Sequence, residues 1–218
     1  MQNYLISQEL SNCIQKNTMN SQFQMIISSF LLLLLFTLEG MNDTILNSFF
    51  PIDAKGNHGL SNSEISLCMG MFDVGIVVGF IVWIVFSEFA NIYRKNVALI
   101  GGILTGISIF SFGVTTSIEN RNLYLVVCYT LRIVSGLMSS CLWGPGWALI
   151  RSFANNVTTA NKLTTSALTV TYVGYFCAPF LGTLFYVNFG YSAPFFILGL
   201  CESGLSLILL LYLKFKKK

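Results

Sequence analysis

Six apolar runs, each long enough to cross a bilayer as a helix, decide what this chain can fold into. They lie at about 23–50, 64–86, 96–117, 122–150, 163–187 and 192–213. Roughly 20 helical residues cross a hydrocarbon core of about 30 Å, and there every backbone N–H and C=O must find its partner within the protein. The runs lack the period-two alternation of a membrane barrel. The sequence therefore predicts an all-α membrane protein with six transmembrane helices. Only 10% of its residues are charged, against about 25% in an ordinary soluble domain. No nucleophile–base pair, phosphate loop or metal-ligand spacing is found, so the expectation is no enzyme, no metal and no nucleic-acid partner.

Lysine and arginine set the expected orientation. With the N-terminus cytoplasmic, that side collects Lys16, Arg94, Lys95, Arg151, Lys162, Lys214, Lys216, Lys217 and Lys218, while the other side holds Lys55 and Arg121. Such an excess marks the cytoplasmic face. Three parts follow: a cytoplasmic segment at 1–22, a six-helix domain at 23–213 and a basic cytoplasmic tail at 214–218. The first run lacks a small-residue cleavage site and carries carboxylates, so it is expected to be retained. Cys13, Cys68, Cys128, Cys141, Cys177 and Cys201 are read as small apolar packing residues. His58 is read as a solvated loop residue, and Asn42 and Asn156 as unmodified.

The exceptions to apolarity carry the functional signal. Glu39 and Asp43 share a face of the first run, with Asp73 in the second, Arg132 in the fourth and Glu202 in the sixth. At about 1.5 Å per residue, all five lie roughly 10–16 Å from the expected outer ends of their helices. A charged group at mid-membrane costs about 2.5–3.5 kcal/mol on insertion scales. Five at one depth point to a substrate or proton site. Four carboxylates facing one arginine point to a cationic cargo, with Arg132 expected to pair with Glu39 on depth. Plainer alternatives remain open: Asp43 wetted at the outer surface, Arg132 tying helices together, and Glu202 hydrogen-bonded within the bundle.

Small residues punctuate the runs, as in "GIVVG", "GGILTG" and "WGPGW". The first two favour close helix crossings. In the third, Pro145 implies a hinge or a static kink. "TLRIVSG", with Arg132 and Gly136, resembles the fourth-helix Arg-x-x-x-Gly motif of the major facilitator superfamily. "GYFCAPFLGT" resembles its fifth-helix antiporter motif at Gly174, Ala178, Pro179 and Gly182, with Thr183 last. "SEFANIYRKNVAL" resembles its loop signature, with Asn91, Arg94 and Lys95 at the acidic and basic positions and no glycine.

Within that superfamily, "NSFFPIDAKG", "RSFANNVTTA" and "LFYVNFGYSAPFFILG" resemble the vesicular amine transporters, including their polyamine branch. The resemblance implies one six-helix half, built of two inverted three-helix repeats. Aligned on Pro51, Glu39 stands at the amine-binding aspartate of the monoamine transporters, which implies an ammonium-binding role. Gly75 stands near their second-helix lysine, and Asp73 adds a negative charge instead, leaving polyamines and other organic cations open. The expected activity is cation transport by proton antiport, driven by a proton gradient with no cofactor. The expected partners are lipid, a small organic cation, protons, and a missing C-terminal half or a second copy. Alternatively, the chain is a non-transporting membrane protein that pairs with or modulates another.

Overall fold

A computed structural model describes the chain over residues 2–215, with side chains from residue 23 onward. Lys216, Lys217 and Lys218, and the side chains of Cys13 and Lys16, lie outside the described residues. Among the described residues nine α-helices run as α1 (Gln2–Thr44), α2 (Phe50–His58), α3 (Asn62–Val85), α4 (Ser87–Ile92), α5 (Arg94–Gly113), α6 (Arg121–Cys141), α7 (Trp147–Arg151), α8 (Val157–Phe189) and α9 (Ser192–Phe215). Six spans long and apolar enough to cross a membrane fall within them, at Phe23–Asn47, Asn62–Val85, Arg94–Ser117, Arg121–Arg151, Val157–Phe189 and Ser192–Phe215.

Local chemistry fixes many of the ends. Ser61 and Glu64 form a capping box at the start of α3, the Ser61 N–H donating to Glu64 at 2.8 Å. Asn120 accepts from the N–H groups of Asn122 and Leu123, and Asn156 from that of Thr159. Gly59 (φ 62°) ends α2, and Gly190 (φ 84°) ends α8. At "LWGPG" the fourth span neither breaks nor ends. A π turn over Leu142–Gly146 joins α6 to α7. Pro145 offers no N–H, and the wider turn passes its ring.

The packing reveals an internal two-fold. α5 packs most extensively on α9, α3 on α6, and α1 on α8. Exchanging the first three spans with the last three maps α1–α8 onto α6–α3 and returns α5–α9 to itself. Glycines make the correspondence explicit. A Cβ on Gly75 would strike the carbonyl of Ile133, and one on Gly136 that of Phe72. A Cβ on Gly174 would strike the carbonyl of Thr37, and one on Gly40 that of Thr171. In each case the carbonyl belongs to the residue three before the partner glycine. At the third crossing, Gly106 and Gly199 each lie against the other's carbonyl. Backbones approach this closely in a membrane only where side chains are absent.

Two apolar cores fill the bundle. One gathers Phe49, Phe50, Tyr124 and Phe195, and the other Leu32, Phe36, Leu142, Ile150 and Leu209. Between them lies a layer containing Glu39, Asn42, Thr105, Arg132, Ser135, Ser139, Thr171 and Glu202, all buried.

The loop after the first span departs from its reading. Residues 50–58 form α2, and His58 is half-buried with its ring stacked on Tyr124, the centroids 3.7 Å apart. Asp53 is buried beside it, accepting a 2.8 Å hydrogen bond from Asn57. Burial pushes the Asp53 carboxyl above its ordinary range, while Asn57 and then His58 partly oppose that. Because its folded value is raised, ionisation destabilises the fold once pH passes the usual carboxylate range. Asp53→Asn is thus expected to raise the melting temperature at neutral pH, with the gain vanishing in acid. Thermal unfolding of the two proteins at both pH values checks this.

Candidate functional site

The charged and hydrogen-bonding groups at the centre of the buried layer come from α1, α6 and α9, with Thr105 of α5 and Thr171 of α8 completing it, and its open front adds α3. Glu39 has 1% of its surface exposed, and its Oε1 accepts a hydrogen bond from the Ser139 hydroxyl of α6. One turn away, the Asn42 amide donates to Ser135 at 3.4 Å. Ser135 and Ser139 lie one turn apart on α6, so this pair of contacts fastens α1 to α6 near the two-fold axis. Glu202 of α9 is fully buried and within hydrogen-bonding reach of Glu39, but neither of its oxygens receives a protein donor. The Trp143 indole, turned inward at the π turn, comes near the Glu39 carboxyl.

Arg132 is where the structure differs most from what depth predicts. Among the described residues it makes no ion pair with Glu39; the salt bridge present joins Arg121 to Glu64 at 2.8 Å, at the end of the bundle near α2. The guanidinium lies 4.4 Å above the Phe72 ring centroid, and its Nε has no acceptor. Its carboxylate neighbours rank as Asp43, then Asp73, then Glu39. Depth along a helix axis cannot say which way a side chain faces. α3 lies directly against α6 and brings Asp73 and the Phe72 ring to the arginine.

Asp43 is half-buried and Asp73 exposed, so these carboxylates open to the face where α1, α3, α6 and α8 run side by side. Tyr175 of α8 feels both aspartates as well as Glu39, and its ring meets Tyr172 edge-on at 5.7 Å. Glu39 sits deeper, on the side toward α9. The five charges thus fall into two groups: Asp43 and Asp73 on the open side with the buried Arg132 against them, and Glu39 with Glu202 deeper. Sequence reading missed Asn42, Ser135, Ser139, Trp143, Tyr172 and Tyr175. The i, i+4 serines beside Arg132 were the available signal; the tyrosines carried none.

The motif residues take structural places. Gly174, Ala178 and Gly182 are buried along α8, where Gly174 presses on α1 and Gly182 on Ile45 and Phe49 just beyond its end, and Pro179 is half-buried beside them. Gly136 presses on α3. Arg94 donates to Asn91 at 3.1 Å across the start of α5. Lys95 reaches the Leu213 carbonyl at 3.1 Å, placing its charge at the C-terminal end of α9, where the helix dipole is negative.

Comparison with known proteins matches the chain to one family. The Major Facilitator Superfamily profile matches residues 32–218. The MFS-type transporter SLC18B1 of Rattus norvegicus is 28% identical over 161 residues, covering 73% of this chain and 34% of the relative. The Mus musculus protein of the same name is 29% identical over the same shares. The chain therefore spans about a third of the length of these curated relatives. No solved structure matches it.

Proposed function

The chain belongs to the Major Facilitator Superfamily, and on that premise we propose that it serves transmembrane transport of an organic cation, an amine or polyamine, in exchange for protons. One observation carries this reading. Asp43 and Asp73 open to one face beside Tyr175 and Tyr172, and the buried Arg132 interacts with both from behind. The carboxylates supply charge for an ammonium, and the tyrosine rings present negative π faces to it. Arg132 keeps the two aspartates from repelling each other without neutralising both. Glu39 backs this pocket rather than opening into it. The ammonium therefore meets Asp43 and Asp73 first, and Glu39 acts on it from behind.

In this reading both termini face the cytoplasm and the bundle acts as one half of a transporter. α3 and α8 are the most exposed spans, with Val74, Val77, Ile81, Phe176, Phe180 and Val187 outward. A second six-helix half or a second copy covers their open faces, and lipid covers the rest. The test is saturable binding of radiolabelled spermine by the purified chain, followed by uptake into proteoliposomes under a pH gradient. Binding with gradient-driven uptake supports transport by the chain as it stands. Binding without uptake supports a half that needs its partner. Absence of saturable binding overturns the cation reading and favours a non-transporting partner role.

A further inference from the structure

We propose that Glu39 of α1 and Glu202 of α9 hold one proton between them, forming a proton site behind the cation-facing aspartates. This deepens the proposed exchange and rests on that reading only for its consequence, not for its existence. The geometry is specific. The two carboxyl groups lie within hydrogen-bonding reach of each other, with 1% and 0% of their surfaces exposed. Glu39 Oε2 and both oxygens of Glu202 lack any protein donor. Two carboxylates are both acceptors and cannot bond to each other. One carboxylic O–H donating to the facing carboxylate satisfies two of the three orphaned oxygens and removes one of two adjacent buried charges.

The surroundings leave no better solution. From α1 the nearest further charge is Asp43, which is also negative. From α6 come the Ser139 hydroxyl and the Cys141 thiol, and from the π turn the Trp143 indole. From α8 comes Tyr175. Among the described residues Arg132 is the one basic group of this layer, and Glu39 ranks last among its carboxylate neighbours. α5 packs along α9 with Gly102, Thr105 and Gly106 at this depth, and none of these carries a charge. Arg132 acts on Glu39 more weakly than on the two aspartates, and no cation among the described residues forms an ion pair or hydrogen bond with Glu39 or Glu202, so a proton is the available counter-charge at hydrogen-bonding distance.

The consequence is a linkage. A positive cargo arriving at Asp43 and Asp73 raises the local potential and favours the pair without its proton. Departure of the cargo favours the pair with it. Cation and proton then exclude one another without sharing a carboxylate.

The test is infrared spectroscopy of the full chain in lipid nanodiscs, reading the carboxylic C=O stretch near neutral pH. Labelling with ¹³C-glutamate separates this band from those of the aspartates. One glutamic band is expected, and both Glu39→Gln and Glu202→Gln should abolish or displace it, because it belongs to both side chains. A wild-type spectrum without such a band overturns the proposal even if neither variant folds. So does a band that responds to one variant alone, or a pair of bands each removed by its own variant. Spermine binding is scored separately, so loss of the cation reading leaves this result intact.

Discussion

Gly136→Ala is expected to destabilise the bundle by about 1–3 kcal/mol, the usual range for overpacking, and toward the upper end. The added methyl would meet the Phe72 carbonyl, with the carbonyl carbon at 2.9 Å and the Ile76 nitrogen at 3.1 Å. These are backbone atoms of α3 and cannot swing aside as a side chain would, so the crossing itself must open. Opening it also moves Phe72 from Arg132, one turn away on α6. Gly40→Ala should cost a similar amount, since its methyl meets the Thr171 backbone at the symmetry-related α1–α8 crossing. Gly204→Ala is the control. A methyl there would have nothing within 4 Å, and replacing a helical glycine by alanine gains up to about 1 kcal/mol. Thermal unfolding in detergent ranks the three. Equal melting temperatures for Gly136→Ala and Gly204→Ala would mean the α3–α6 crossing yields freely.

The spans were legible because membrane burial imposes length and apolarity on a continuous stretch, which a single sequence displays. Their pairing was legible only in outline. "GIVVG" announced a close crossing on α3, yet nothing local named α6 as its partner. The site divided in the same way. Glu39, Asp43, Asp73, Arg132 and Glu202 were visible as charges out of place. Which way each faced was not, because α1 turns Glu39 toward α9 and leaves Asp43 half-open only one turn later. The expected Glu39–Arg132 pair failed for that reason. Ser139 and Tyr175 stayed hidden because hydroxyls and aromatics are ordinary in membrane helices. α2 was missed because "FPIDAKGNH" is short and too polar for a span, and its helix is set by Pro51 in the first turn and Gly59 at its end.

Asp43→Asn is expected to weaken spermine binding about a hundredfold and Asp73→Asn about tenfold. A unit charge pair near 5 Å is worth about 3 kcal/mol at an effective dielectric constant of about 20, and under 1 kcal/mol in bulk water. Asp43 is half-buried and belongs near the first regime; Asp73 is exposed and lies between the two. The charge balance sharpens the choice of cargo. Before the cargo arrives, Asp43, Asp73 and a proton-sharing Glu39–Glu202 pair bring three negative charges against the one positive charge of Arg132, and loss of the shared proton adds a fourth. The layer is thus matched by two or more ammonium groups of a polyamine better than by a single ammonium. Spermine and a monoamine should therefore differ in their response: the double Asp43→Asn, Asp73→Asn variant should lose preference for spermine, not only affinity. Equilibrium binding of both ligands to the wild type and the three variants measures this. Equal losses for both ligands would place the second ammonium outside the layer, and unchanged affinities would remove the aspartates from cation recognition.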